Sequence, residues 1–303
     1  MRAVLLRETG GPEQLELSEV PDPEPGDGEV VVRVRAAGVN FADVLVRQGR
    51  YPQPPDLPTV PGSEVAGEVD GRRVMALPRG GGYAEAVAVD EALVVPLPDG
   101  ASFEEGAGFL LTFLTAWIPL TRQVRIDSGS VVLVHAGSGG VGSASVQVAK
   151  HLGAHVVATA STEEKRRVAL EQGADEAYGY DDFDEVRADV VLDPVGGDVF
   201  TSSFGVLKPL GSVVAIGFAG GWWEQLDPAP LVGRNLSLHG FYLGRLMRHQ
   251  PALVRDAVGE LLELWSSGAV KPLVGASFPL EQAADAHELI EKRQHTGKVV
   301  LVP

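Results

Sequence analysis

Gly137, Gly139 and Gly142 stand in the stretch VVLVHAGSGGVGSASVQVAKHLGA, residues 131–154, at the G-x-G-x-x-G spacing that lets a backbone approach a pyrophosphate. The chemistry on offer is anion binding by amide N–H groups at the positive end of a helix. Glycine spacing alone is weak, because 37 glycines in 303 residues produce such intervals by chance, and a plain structural turn is the competing reading. The surroundings strengthen the first reading. Val131 to His135 form an apolar run of strand length, Val141, Val148 and Leu152 recur at helical spacing beside Ser145, and HVVATA predicts a second strand ending near Ala160. Strand, glycine turn, helix and strand make the βαβ unit that a dinucleotide fingerprint needs.

The end of that second strand selects between nucleotides. A site for NAD usually places Asp or Glu there, about 20 residues past the glycines, to bind the ribose hydroxyls. This chain reads ATASTEEKRR instead, with Ala160 and Ser161 in the place of the acid and Lys165, Arg166 and Arg167 close behind. A hydroxyl and a cation favour an extra 2′-phosphate that a carboxylate would repel, so Ser161 and Lys165 point to NADPH. Ser161 or Thr162 also reads as a helix cap, and the two roles are compatible. Glu163 and Glu164 work against the charge.

The elements that must position these residues fall into two patterns. Residues 1 to 117 read as short strands (AVLLR, EVVVRVRAAGV, SEVAGEV, RRVMAL, AEAVAV) broken by PDPEPGDGE and YPQPPDLPTVPG, which predicts an all-β, barrel-like domain. A buried helix follows near residues 107–125, with Pro119 expected to bend or end it. Residues 118 to 245 alternate strands and helices and predict a largely parallel sheet. Residues 246 to 303 carry two amphipathic helices and the strand GKVVLV, whose natural sheet partners lie in the first domain.

Composition sets further bounds. The formal charge of -16 argues against a nucleic-acid backbone or an anionic membrane surface as partner. There is no cysteine, so disulfides, thiolate ligands and a cysteine nucleophile are excluded. His151 and His155 are four apart, but His155 begins a strand, and the seven histidines show no metal-ligand spacing. The opening MRAVLLRETGGPEQL is too short an apolar run for a signal peptide, and no later run is suited to cross a bilayer, so a cytoplasmic protein is expected.

Six motifs in order, AAGVNFADVLVRQGRY (36–51), VPGSEVAGEV (60–69), GGYAEAVAV (81–89), HAGSGGVGSASVQVAKHLGA (135–154), LDPVGG (192–197) and FPLEQAADAHELIEKRQHTGKVVL (278–301), give the chain its likeness. It resembles, over essentially its whole length, the zinc-independent quinone oxidoreductases of the medium-chain dehydrogenase/reductase superfamily. The resemblance implies an α/β fold in which a GroES-like β-barrel domain joins a Rossmann dinucleotide-binding domain, with the active cleft between them. It implies hydride transfer from NADPH to a quinone, and a homodimer built on the Rossmann sheet edge near residues 235–243.

Carried onto this chain, the family pattern puts Asn40 where zinc-dependent relatives hold a cysteine, Asp43 in the same NFAD stretch, and Tyr51 as the aromatic beside the nicotinamide. It assigns Ser138, Gly139, Gly140 and Val141 to the pyrophosphate turn, Tyr180 to the adenosine side, Gly217 and Phe218 to the nicotinamide ribose, and Lys298 to an approach toward the cofactor. Asn40 and Tyr51 are the expected hydrogen-bond donors to the acceptor, with solvent supplying the final proton; Asp43 is expected to hold Asn40 or its loop. By local sequence alone, Asn40 reads equally well as a turn or capping residue. The loop GFAGGWWEQLDPAP departs from the family's small-residue pattern, and Trp222 and Trp223 are placed to narrow the pocket or shield the cofactor. Reduction of enones or enoyl thioesters shares the hydride geometry, and an NADPH-binding structural or sensing protein would keep the same fingerprint.

Overall fold

The structure, a computed structural model, describes residues 1–223 and 225–303. The chain divides into two compact units, one formed by Met1–Leu111 with Pro272–Pro303 and the other by Thr112–Lys271. The first boundary falls inside a helix, at 111/112 and not after 117, because the unit of packing ignores the continuity of the helix.

In chain order, the first unit begins with β1 (Arg2–Leu6) paired to β2 (Leu15–Glu19), then β3 (Glu29–Val39), helix α1 (Phe41–Arg47), β4 (Val65–Val69), β5 (Arg72–Ala76), β6 (Ala86–Asp90), β7 (Val94–Pro96) and α2 (Phe103–Gly106). Strand β3 shows why the alternation matters. Val32, Val34 and Ala36 are buried while Arg33 and Arg35 face out, as the period of two requires. Helix α3 (Leu110–Ile118) crosses the boundary, and the proline stops it there: Pro119 opens a wide turn over Pro119–Gln123. Phe109, Phe113 and Trp117 are all buried core residues, each contributing on the order of 1.5–3 kcal/mol.

The second unit continues through β8 (Val131–Val134), α4 (Gly140–His151), β9 (His155–Thr159), α5 (Glu163–Glu171), β10 (Glu176–Tyr178), β11 (Ala188–Asp193), α6 (Gly197–Ser203), β12 (Leu207–Ala215), α7 (Ala229–Arg234), β13 (Ser237–Gly240), α8 (Leu243–His249) and α9 (Pro251–Ser266). Among the described residues its six strands pair in parallel in the order β10-β9-β8-β11-β12-β13. Val132, Leu133 and Val134 are all buried, as a central parallel strand covered on both faces must be. The direction of winding reverses between β8 and β11, and such a switch point opens a crevice at the strands' C-terminal ends.

Helix α9, expected within the segment returning to the first domain, groups with the second unit. Glu260 on it accepts from Trp117 Nε1 at 2.5 Å and from Arg122 at 2.6 and 2.8 Å, which fastens it to the α3 region. The return begins only at Pro272, with β14 (Val274–Pro279), α10 (Ala283–Glu291) and β15 (Lys298–Val302). Strand β15 lies between β14 and β3 in a seven-stranded sheet ordered β14-β15-β3-β4-β5-β7, with β6 also on β3.

Candidate active site

In the second unit, the glycine turn sits where β8 gives way to α4, at the switch point. Gly139 is the N-cap and has no side chain with which to cap, so the amides of Gly140, Val141 and Gly142 begin the helix without intrahelical acceptors. Three donors are thus available at the helix's positive end. The glycines are not interchangeable. A Cβ on Gly142 would overlap the Ala136 carbonyl oxygen, and one on Gly137 would come within 2.7 Å of Ala158 Cβ, whereas one on Gly139 would meet nothing nearer than 3.4 Å. Gly142 and Gly137 therefore let helix and strand approach, whereas Gly139 could carry a Cβ at ordinary contact distance from the Ala136 carbonyl. Ser138 is buried in the turn, and Ala136 holds a left-handed φ of 52°.

The end of β9 carries Ser161 exposed and Thr162 as the cap of α5, its hydroxyl accepting from the Lys165 amide at 3.2 Å. The capping role thus falls to Thr162 and leaves the Ser161 hydroxyl outside it. Tyr180 lies with its ring centroid 6.3 Å from that of His135. Beyond β12, the Gly217 amide reaches the Asp193 carbonyl at 3.4 Å, and buried Phe218 packs against Trp222 at 4.6 Å and Trp223 at 4.9 Å. Trp222 is 59% exposed. The loop is tied to the turn after β11 by a bridge between Gly196 and Gly221. Asp193 organises that turn: its carboxylate accepts from the amides of Val195 at 2.7 Å and Gly196 at 3.1 Å, and burial, opposed by those two amides, pushes it up to about 6.

The first unit holds a buried polar network around Asn40. The Lys298 ammonium donates to Asn40 Oδ1 at 2.5 Å and to Glu64 Oε2 at 2.6 Å, and Glu64 Oε1 accepts from the Leu111 amide at 2.8 Å. A cation at Oδ1 settles the amide's orientation, leaving Nδ2 as the donating end of Asn40. Asp43, three residues on in α1, accepts from the Asn40 backbone amide at 2.9 Å and from the Tyr83 hydroxyl at 3.0 Å. Tyr83 also lies 3.0 Å from His287 Nε2. Burial pushes Asp43 up to about 6, against the pull of the Asn40 amide, Tyr83 and Lys298; burial and then Asp43 push Tyr83 well above its ordinary value. Burial, with a smaller push from Arg47, holds His287 down to about 3, so its ring is neutral.

The structure therefore brings Asn40, Asp43 and Lys298 together, and gathers Gly137, Ser138, Gly139, Gly140, Val141 and Gly142 on one turn. Tyr51 is half-buried in the bend after α1, its amide donating to the Leu45 carbonyl at 3.1 Å. Lys298, expected to approach the cofactor, has its ammonium directed at Glu64 and Asn40. Sequence reasoning missed Glu64, Tyr83, His287 and Asp193. One signal was present: a lysine opening the apolar strand KVVLV needs a buried carboxylate partner, and Glu64 is the acid inside the motif VPGSEVAGEV.

Comparison with known proteins agrees with these elements. Residues 26–99 match the family model "Alcohol dehydrogenase GroES-like domain" and residues 172–301 match "Zinc-binding dehydrogenase". Among the described residues no group of three or more His, Asp or Glu could hold a metal ion. The chain belongs to the zinc-independent quinone oxidoreductases of the medium-chain dehydrogenase/reductase superfamily, with the GroES-like and Rossmann-type architecture of that superfamily. It is similar to the quinone oxidoreductase of Mus musculus, at 33% identity over 100% of this chain and 98% of that protein. The synaptic vesicle membrane protein VAT-1 homolog of Homo sapiens is 33% identical over 100% of this chain and 86% of its own length. The quinone oxidoreductase of Thermus thermophilus, solved also in complex with NADPH, is 43% identical over 100% of both chains with a TM-score of 0.92.

Proposed function

We propose that this protein is an NADPH-dependent oxidoreductase that reduces quinones, with the residues of its two units in the following roles. The carrying observation is the set of uncapped amides at Gly140, Val141 and Gly142, standing at the switch point of a parallel sheet. These donors suit a diphosphate, and Gly137, Ser138 and Gly139 shape the turn that admits it. Ser161 and Lys165 receive the 2′-phosphate, Tyr180 flanks the adenosine, and Gly217 and Phe218 border the nicotinamide ribose. Bound NADPH supplies the hydride from its nicotinamide C4.

Asn40 and Tyr51 hydrogen-bond the acceptor oxygen as it gains negative charge. A quinone spreads that charge over its conjugated system, so orientation and a small number of donors suffice, and solvent provides the one proton that, with the hydride, completes the hydroquinone. Lys298 fixes which end of Asn40 donates, and its charge on Oδ1 polarises the amide and strengthens the Nδ2–H donor. Asp43 holds the Asn40 backbone.

A second copy of the chain completes the assembly, through β13 at the edge of the six-stranded sheet. Leu238 on that strand is 40% exposed, and Leu210 on the paired β12, whose amide donates to the Asn235 carbonyl at 3.0 Å, and Val232 on α7 are exposed too. No described helix is long and apolar enough to cross a membrane, in keeping with a cytoplasmic enzyme.

The test is oxidation of NADPH with 1,4-benzoquinone, followed by absorbance and compared with an enone at equal concentration. Faster turnover of the quinone supports the reading. Binding of NADPH without turnover of either acceptor overturns it. Light scattering on Leu238→Lys tests the dimer, which the substitution should convert to monomer.

A further inference from the structure

His135 is fully buried just past the C-terminal end of β8, two residues before Gly137 of the cofactor turn, and the chemistry proposed above leaves it no task. Both ring nitrogens are engaged. Nδ1 lies 2.8 Å from Thr159 Oγ1, and Nε2 lies 2.9 Å from Ser203 Oγ. The Ser203 hydroxyl gives its proton to the Val199 carbonyl at 2.7 Å, so it can only accept from the ring. Nε2 therefore carries the hydrogen, and Nδ1 accepts from Thr159. A neutral ring is required, and burial supplies the condition by holding His135 down to about 3.

The two hydroxyls it joins lie on different sides of the cofactor turn. Thr159 closes β9, and its carbonyl also accepts the Gly137 amide at 2.9 Å, so one residue grips both the side chain before the turn and the backbone within it. Ser161 stands two positions further on. Ser203 ends α6, the helix that starts at the Gly196–Gly197 turn after β11. Edge-on contact with Phe183 at 5.1 Å and the neighbouring Tyr180 ring at 6.3 Å fill the remaining sides. The imidazole thus spans the switch point, from β9 through β8 to the element that follows β11.

We propose that His135 is a positioning residue of the cofactor site: its Nε2–H imidazole locks Thr159, Ser203 and Tyr180 to the glycine turn, fixing the spacing between the diphosphate amides and the 2′-phosphate residues. This rests on the reading that the second unit binds NADPH. Because the ring touches no reacting atom, it governs how well the nucleotide is held and how well NADPH is told from NADH, and leaves the hydride step alone.

The experiment compares wild type with His135→Phe, which keeps an aromatic ring and deletes both hydrogen bonds, with Thr159→Val, which deletes one, and with His135→Gln, which can restore the donor to Ser203. Dissociation constants come from NADPH fluorescence, and KM and kcat from 1,4-benzoquinone reduction with NADPH or NADH. The expected result is roughly a tenfold rise in KM and dissociation constant for NADPH in His135→Phe, a smaller rise in Thr159→Val, partial recovery in His135→Gln, and kcat within about twofold of wild type throughout. The NADPH-to-NADH ratio of kcat/KM should fall in step. Unshifted NADPH binding and an unshifted ratio in both His135→Phe and Thr159→Val would overturn the proposal alone, as would a kcat that falls as far as kcat/KM. If His135→Phe does not fold, Thr159→Val decides by the same measures. Wild-type protein that binds no NADPH would overturn the cofactor reading and this proposal with it.

Discussion

Glu64 and Lys298 meet at 2.6 Å inside the first unit, with side chains 0% and 4% exposed. The pair is closed off from water, and each charge is left uncompensated if the other is removed. Lys298→Met should cost about 3–5 kcal/mol of stability, the range for breaking a buried pair on one side. Adding Glu64→Gln should return a large part of it, since the amide needs no cation. Denaturant unfolding of the single and double variants measures both; a single variant as stable as wild type would contradict the assignment.

The two glycines at the helix start should separate folding from cofactor binding. Gly142→Ala drives a methyl group into the Ala136 carbonyl and should lower the melting temperature, with loss of at least about tenfold in NADPH affinity. Gly139→Ala has room, so it should fold normally and yet bind NADPH more weakly, because the methyl group occupies space a diphosphate needs. Calorimetric titration beside thermal melts distinguishes the two. Equal, normal affinity in both variants would remove the turn from the binding site.

Cofactor choice should reside at the β9 end. Ser161→Asp with Lys165→Ala replaces a hydroxyl and a cation by a carboxylate, and should reduce the preference for NADPH over NADH by roughly 10- to 100-fold, the worth of one or two charge-assisted hydrogen bonds. The ratio of kcat/KM for the two nucleotides reports it. An unchanged ratio would place the 2′-phosphate elsewhere.

His287 should make stability depend on pH in a definite sense. Its folded value, about 3, lies below the ordinary 6.5, so the unfolded chain binds the extra proton between them. The stability tied to the neutral ring is complete above pH 6.5 and is lost as pH falls toward 3, at up to about 1.4 kcal/mol per pH unit. Asp43, raised to about 6, works in the opposite sense between 3.8 and 6, gaining stability as pH falls. Since Asp43 is present in both proteins, the difference between wild type and His287→Gln isolates the histidine. Wild type should lose ground to the variant on acidification from pH 6.5, and a pH-independent difference in denaturant midpoints would refute this.

Much of the fold is legible in the sequence because its signals are local. The runs at 131–135 and 155–160 contain β8 and β9 to within a residue at their ends, and the helical spacing after Gly139 gives α4. Short β10, with only Glu176, Ala177 and Tyr178, carries no period long enough to be seen, and it exists because β9 offers an edge. The affiliation of α9 was equally hidden, since an amphipathic helix announces an apolar face without naming what covers it. In the site, residues that act through backbone geometry, such as Gly142, follow from spacing. Glu64, Tyr83 and His287 are far apart in the chain, and only the pairing of distant strands and helices makes them neighbours of Lys298 and Asp43.

Arg47 is fully buried, donating to the Gly10 carbonyl at 2.8 Å and to Glu291 at 2.6 Å, and β15 enters the sheet between β14 and β3. Synthesis on the ribosome therefore delivers the parts out of order. The Rossmann unit is continuous and can fold while translation proceeds, but the barrel, although its opening strands emerge first, waits with an exposed strand edge on β3 until β15 has emerged. A nascent chain stalled just short of Lys298 would hold a finished nucleotide domain beside an open, aggregation-prone one.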